Sequence, residues 1–343
     1  MIAAPADRSR SAAAIGVALG AAVVFAIAAH VDAAGACRMF LANLLFWSGV
    51  AGGGAAFAAL LELTGAEWTG AIRRIAETSA RFLAAAVPLM LLLIAGTAVL
   101  FDAAGRRASS WIAVRDALAV GALYACSVAS VGGRWRRLPA AVALLLVFAA
   151  VMSLLAIDLV MRFDPQWTST LFPGYFAVTN VYAGISAVAV AAALAPSRRD
   201  APALDEKRAR SMGALLLGFS LLWIYLFWSQ YLVIWYGNLP DEFAFLVAST
   251  RDGWRIVSAA VLACCFAVPS LLLLARRTSR MVVAASCFSL AGIWLERLLL
   301  VFPSHPWRGI DAIAAVALAA GFGAAFVLSG AVAWRSSAPV EAG

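Results

Sequence analysis

Apolar residues dominate the chain in runs of about twenty, and short polar segments separate one run from the next. A helix needs about 20 apolar residues to cross roughly 30 Å of hydrocarbon, so each run predicts one transmembrane helix. Ten such runs are centred on residues 11–31, 39–61, 82–101, 112–131, 139–161, 174–195, 212–236, 255–275, 281–301 and 311–333. We therefore predict an all-α integral membrane protein in which residues 1–343 form a single polytopic membrane domain.

Composition agrees with this class. Hydrophobic residues make up 64% of the chain and charged residues 13%, and the mean hydropathy is +0.92. A soluble domain usually has about 25% charged residues. The first apolar run follows Arg8 and Arg10 without a small-residue cleavage site, so we expect it to be retained as a helix rather than removed as a signal peptide.

The formal net charge of +8 is distributed as a topology signal rather than as a nucleic-acid footprint. Of the 26 Lys and Arg residues, 17 fall in segments on the side of the N-terminus and 9 on the other side. Because positively charged loops stay in the cytoplasm, both termini are predicted to be cytoplasmic. The basic loops are also expected to contact lipid phosphates.

Several kinds of chemistry have no basis in the residue inventory. The five cysteines never form a C-x-x-C pair, and the only histidines are His30 and His305, so neither a metal site nor a haem site is predicted. The sequence also has no Walker loop and no G-x-S-x-G motif. We expect no cofactor on this chain, no metal, no catalytic residue and no nucleic-acid partner.

Two polar segments interrupt the apolar pattern on the predicted outer side. Residues 158–175 form a turn with more acids, prolines and tryptophan than a simple connection between two helices needs. Residues 229–242 carry hydroxyls, aromatics and acids. We predict that they form a docking face for extracytoplasmic partners. Its candidate residues are Asp164, Pro165, Trp167, Ser169, Asn238, Asp241 and Glu242.

Asp158 lies about one turn inside a predicted helix end, where an unpaired carboxylate costs up to about 2.5–3.5 kcal/mol. Two interpretations stay open. One is a salt bridge to an arginine such as Arg115, Arg162 or Arg297. The other is a group that carries a proton.

The seventh predicted helix is the richest in side-chain chemistry. At 3.6 residues per turn, Tyr225, Ser229 and Tyr236 share one stripe beside an aromatic wall, and Gln230 needs a partner in the bundle. Aromatics at helix ends are also typical of an interfacial belt. The proton-path candidates are Asp158, Tyr225, Ser229, Gln230, Tyr236 and Glu296, although Glu296 next to Arg297 also fits a structural ion pair.

Local features add three expectations about packing. Gly49 and Gly53 form a small-xxx-small pair that favours close helix contact. Pro88 and Pro269 predict kinks whose freed carbonyls neighbouring helices must satisfy. Residues 67–77 read as a short amphipathic helix at the membrane surface.

Three stretches carry a family resemblance: Arg73-Arg74-Ile75-Ala76-Glu77, residues 158–175 and residues 227–242. They resemble the second quinone-type membrane subunit of bacterial alternative complex III, a quinol:electron-acceptor oxidoreductase, which is related to the polysulfide-reductase membrane-anchor family. The chain departs from the family pattern at Gln166, where a histidine is frequent. A histidine-mediated proton step therefore does not carry over.

The resemblance implies ten helices that hold two four-helix bundles plus peripheral helices. It implies partners as well: a sister polytopic subunit that binds quinol, and periplasmic iron–sulfur and multihaem cytochrome subunits. This chain would then be a non-catalytic or a quinone-type subunit in the bacterial inner membrane, with a structural role and, as a further hypothesis, a proton path. A stand-alone secondary transporter of an ion or small solute is the alternative, although the sequence has no clear internal repeat.

Overall fold

The computed structural model describes residues 5–102, 110–131, 137–163, 167–195, 202–237, 247, 250, 251, 253–302 and 307–336. Most of these residues are helical, and no strand occurs among them. Nine helices in this part of the chain are long and apolar enough to cross a membrane. The prediction of an all-α, multi-pass integral membrane protein is confirmed.

The helices are α1 (Pro5–Val31), α2 (Ala33–Leu63), α3 (Ala71–Ser79), α4 (Phe82–Asp102), α5 (Ser110–Val131), α6 (Arg137–Leu159), α7 (Phe172–Leu194), α8 (Glu206–Gly237), α9 (Trp254–Leu262), α10 (Val268–Ala275), α11 (Ser279–Val301) and α12 (Gly309–Ser336). A π-helical turn, Ala263–Ala267, joins α9 to α10, so that these two form one bent span. The predicted span 112–131 is α5, which has 22 residues but is not one of the nine. Its first two turns carry Arg115 and Asp116.

Two helices start earlier than the apolar pattern suggests because acidic residues cap them. Asp32 accepts a hydrogen bond from the Gly35 amide at 3.0 Å, and α2 therefore begins six residues before the predicted span 39–61. Asp205 accepts one from the Arg208 amide at 2.8 Å at the start of α8. With 32 residues, α8 is about 48 Å long, which exceeds the hydrocarbon thickness of roughly 30 Å.

The spans form two four-helix bundles with the same connectivity. In the first bundle α2 contacts α4 and α6, and α5 contacts the same two helices. In the second bundle α7 contacts α8 and α11, and α10 contacts the same two helices. The helices α1 and α12 pack together at the periphery and against α2. We call the side where α6 ends and α7 begins the turn face, and the side where α2 ends and α4 begins the opposite face.

The two bundles meet along α2 and α7, where glycines permit close contact. A Cβ at Gly53 would collide with the backbone carbonyl of Asn180, and a Cβ at Gly184 would collide with the backbone of Gly53 and Gly54. At Gly49 it would collide with the Asn180 side chain. The predicted close packing at Gly49 and Gly53 is confirmed.

The predicted amphipathic segment is a short 3₁₀ turn followed by α3 on the opposite face. The apolar residues Ile72, Ile75 and Ala76 are buried against the bundles, and Arg74 is exposed. The Arg208 side chain secures the turn before α3 by donating to the Trp68 carbonyl at 3.2 Å. The segment is therefore amphipathic, as predicted. It is also fixed to the helix bundles by its buried apolar residues and by the hydrogen bond from Arg208.

The kink at Pro269 leaves a carbonyl for neighbouring helices, as predicted. Proline has no amide hydrogen, so it cannot donate to the carbonyl of Cys265, four residues earlier. The Tyr182 hydroxyl from α7 and the Ser220 hydroxyl from α8 both donate to that carbonyl, each at 3.1 Å. The π turn is thereby held to two helices of the second bundle.

Candidate functional site

The second bundle encloses a carboxylate close to the turn face. Glu296 on α11 is 3% exposed and accepts a hydrogen bond from the Tyr175 hydroxyl on α7. The Trp223 indole on α8 donates to the same oxygen, Oε1, at 3.3 Å. Three helices therefore fix this carboxylate, and its second oxygen, Oε2, has no hydrogen-bond partner among the described residues.

Arg297 is the cation next to this carboxylate. Its side chain is fully buried, and its Nη1 lies 3.3 Å from Glu296 Oε2. Its Nη2 donates to the side-chain oxygen of Asn180 at 2.9 Å, and its guanidinium lies 4.2 Å from the centre of the Phe176 ring. Because Asn180 sits on the seam between the bundles, Arg297 connects the Glu296 cluster to that seam.

A cavity of about 450 Å³ lies beside Glu296, between the turn-face halves of the second bundle's helices. Its wall is mainly apolar and aromatic. Its lining residues are Trp167, Phe172, Tyr175, Ile224, Phe227, Trp228, Gln230, Tyr231, Ile234, Thr250, Ser258, Val261, Leu262, Glu296, Leu299 and Leu300. We call it the aromatic cavity. An apolar cavity with a few polar groups is typical of a site for a small molecule.

The first bundle holds a different cluster at the turn face. Arg115 on α5 pairs through Nη2 with Asp158 on α6 and lies 3.4 Å from Oδ1 of Asp116. Asp116 is 1% exposed, and its Oδ2 has no hydrogen-bond partner among the described residues. One guanidinium thus serves two carboxylates, and the formal charge of the three groups is negative.

A second cavity, of about 300 Å³, lies in the first bundle at the opposite face. Arg73 on α3 pairs there with Glu62 at the end of α2 and, at 3.0 Å, with Glu77. The hydroxyl-bearing residues Ser127 and Ser130 of α5 line the same cavity. The first bundle thus holds acids near both faces, whereas Glu296 of the second bundle lies near the turn face.

The structure does not bring the six proton-path candidates together. Asp158 lies in the first bundle, paired with Arg115. Glu296 and Gln230 line the aromatic cavity of the second bundle. Tyr225 and Tyr236 lie on the exposed surface of α8, with 64% and 85% of their surface accessible.

Ser229 is half-buried and donates to the Tyr225 carbonyl of its own helix at 2.8 Å. The expectation of one stripe inside the bundle is therefore wrong for Tyr225 and Tyr236, which lie on the surface. The α8 surface that carries them faces away from the core, because the buried face of this helix runs through Ser220, Trp223 and Ile234.

The predicted docking turn is described only in part. Trp167 is 5% exposed, and its ring packs against Phe172 with centroids 4.8 Å apart, so it belongs to the wall of the aromatic cavity rather than to an outer surface. Ser169 is half-buried. Asp164, Pro165, Asn238, Asp241 and Glu242 lie outside the described residues.

Sequence reasoning missed four residues of the buried clusters. Tyr175 and Trp223 read as ordinary aromatics of apolar helices, and their common partner is a residue of a third helix. Asp116 and Asn180 did carry a signal, since each is a polar side chain well inside an apolar run. Such a residue needs a partner in the bundle.

Among the described residues, no group of three or more His, Cys, Asp or Glu side chains is placed to hold a metal ion. A scan against protein-family models and a search of curated proteins each found no match for this chain. The fold and the two buried clusters therefore define a multi-pass helical membrane protein, and its function is argued from these features.

Proposed function

We propose that this chain is a membrane subunit of a respiratory quinol:electron-acceptor oxidoreductase similar to alternative complex III. In this proposal it resides in a bacterial inner membrane with both termini in the cytoplasm. A sister polytopic subunit binds quinol, and iron–sulfur and multihaem cytochrome subunits dock on the periplasmic side. The chain itself is non-catalytic and has no redox cofactor.

The pairing of two four-helix bundles is the observation that carries the proposal. The family resemblance implies two four-helix bundles, and it is carried by residues 73–77, 158–175 and 227–242. The contacts between the helices form the same arrangement. The polar turn-face segments supply the docking side. Their acids Asp164, Asp241 and Glu242 give that side a charge that suits a basic partner surface.

Proton conduction belongs to the proposal as a hypothesis. Acids at both ends of the first bundle support it: Glu62 and Glu77 at the opposite face, and Asp116 with Asp158 at the turn face. Charged groups within a membrane bundle commonly mark ion or proton routes. In the second bundle Glu296 is the corresponding acid.

Affinity purification tests the proposal. After gentle solubilisation of the native membrane, a tagged chain is expected to bring down haem-containing subunits, detected by their absorption spectrum. Replacing Asp241 and Glu242 by lysine should weaken that recovery, whereas Glu67→Lys on the opposite side of the chain serves as the matched control. Recovery of a haem-free, monodisperse protein from parent membranes would contradict the proposal.

A secondary transporter is the second candidate. The repeated bundle connectivity favours it, because several transporter families consist of parallel repeats. The two cavities lie at opposite faces, one in each bundle. Solute or ion uptake by proteoliposomes that contain only this chain would support a transporter and count against a subunit role.

A further inference from the structure

The aromatic cavity is continuous with the surface of the second bundle. Trp228 lines the cavity and is also 51% exposed on α8. Close packing of α8 occurs with α10 and with the π turn, but the closely packed helix pairs of the described residues do not include α8 with α9. Among the described residues, α8 and α9 are therefore not packed closely against each other.

The contact between α8 and the span formed by α9 and α10 is made at the π turn and in α10. The Ser220 hydroxyl of α8 lies 3.1 Å from the Cys265 carbonyl and 3.1 Å from the Ser270 hydroxyl, which fixes α8 to that span at the level of the π turn. Both α8 and α9 belong to helices that are long and apolar enough to cross a membrane, so an opening between them would face the bilayer.

The chemistry of the cavity wall specifies a ligand with two parts. The wall is almost entirely apolar, with six aromatic residues at positions 167, 172, 175, 227, 228 and 231, so the body of the ligand must be apolar. Among the described residues that line the wall, Glu296 is the only carboxylate. Its Oε2 lies 3.3 Å from Arg297 Nη1 as an ion pair but accepts no hydrogen bond from the described residues, and a buried acceptor of this kind favours a donor from a ligand or water.

We propose that the aromatic cavity is a binding site, entered from the bilayer between α8 and α9, for an amphipathic molecule whose hydroxyl-bearing head group donates a hydrogen bond to Glu296. This goes beyond the proposed function, which assigns no ligand to this chain. Two kinds of molecule carry such a head group: an aromatic hydroquinone with an apolar tail, and a lipid with a free glycerol. The roughly 450 Å³ of space accommodates a single head group with part of its tail.

Native mass spectrometry of the purified full-length chain tests the site with three probes of equal tail length. They are decylhydroquinone, its dimethyl ether without hydroxyls, and monodecanoylglycerol. We expect one molecule of a hydroxyl-bearing probe to bind, and the dimethyl ether to bind at least about tenfold more weakly, which corresponds to about 1.4 kcal/mol. Preference for decylhydroquinone assigns the aromatic source, and preference for monodecanoylglycerol assigns the lipid source.

Two adjacent residues of α9 provide matched variants. Ser258 lines the cavity, whereas Ala259 is exposed. Ser258→Phe should fill the cavity and weaken binding at least about tenfold, and Ala259→Phe should bind like the parent. Glu296→Gln keeps an acceptor for Tyr175 but removes the charge of the carboxylate. It should therefore reduce the preference of the site for the hydroxyl-bearing probes over the dimethyl ether.

Three results would overturn the site. They are binding of the dimethyl ether that equals that of the better hydroxyl probe, equal effects of Ser258→Phe and Ala259→Phe, and failure of both hydroxyl probes to bind the parent protein. Should Glu296→Gln not fold, the comparison of hydroquinone and ether in the parent still tests the hydrogen bond. Since these measurements use the isolated chain, their failure is distinct from failure of the chain to join a haem complex.

Discussion

The two four-helix bundles share one connectivity but hold their charges differently. In the first bundle, Arg115 is partly exposed and serves Asp116 and Asp158 near the turn face. In the second, Glu296 and Arg297 are buried and are held by groups on α7 and α8. The same helix arrangement therefore supports two largely buried acids served by a partly exposed arginine in one half, and a fully shielded ion pair beside an aromatic cavity in the other.

The spans at equivalent positions differ as well. In the first bundle α4 and α5 pack closely together, whereas in the second bundle the bent span contacts α8 through the π turn and α10. A π turn inside a helix frequently marks a functional site. Among the described residues, the π turn and the aromatic cavity beside it thus distinguish the second bundle from the first.

The largest effect is expected from Arg297→Met. Removing this guanidinium leaves the Glu296 carboxylate buried without its cation, which costs about 3–5 kcal/mol of unfolding free energy. Arg115→Met in the first bundle is the matched variant and should cost less, because the Arg115 side chain is 38% exposed. Unfolding in mixed micelles with increasing dodecyl sulfate measures both. Equal losses would remove the distinction between the bundles.

The seam between the bundles is the next test. Gly53→Ala places a methyl group against the Asn180 carbonyl and should cost about 1–3 kcal/mol through overpacking. Gly218→Ala on α8 meets open space and should stabilise the helix by about 0.5–1 kcal/mol. The same unfolding assay applies. A neutral Gly53→Ala would mean that the bundles do not pack as closely as described.

A loss in the same range should follow from removing the two hydroxyls at the π turn. Tyr182→Phe combined with Ser220→Ala leaves the Cys265 carbonyl without its donors, at a cost of about 1–3 kcal/mol. Adding Pro269→Ala restores an amide hydrogen four residues beyond Cys265 and should recover part of the loss. Thermal unfolding of the three variants measures this. No recovery would show that the proline is not the reason for the freed carbonyl.

Asp158→Asn should have the smallest effect on stability, because Arg115 retains Asp116 as a partner. Under the proposed function it is expected to lower proton translocation per electron while assembly and haem content stay unchanged. Proton release by reconstituted complex during quinol oxidation is the measurement. Unchanged translocation would assign Asp158 to the ion pair alone.

The sequence predicts the helices well and the clusters poorly, for a physical reason. The length and charge of each apolar run determine a span. The lack of a side chain at Gly53 permits close helix contact, and the missing amide hydrogen at Pro269 frees a carbonyl. These features can therefore be predicted from the residues themselves. The orientation of α8 depends instead on which face its neighbours cover. For that reason Tyr225 and Tyr236 were expected inside but lie on the surface. The contact of Tyr175 and Trp223 with Glu296 joins residues of three helices and has no local signature.

Deletion of the gene in its native host tests the central claim most directly. If this chain is a membrane subunit of a quinol-oxidising complex, membranes of the deletion strain should lose the associated haem subunits and quinol-dependent reduction of the external acceptor. Complementation with the parent chain should restore both. Membranes that keep their haem spectrum and full quinol-dependent activity without this chain would contradict the account.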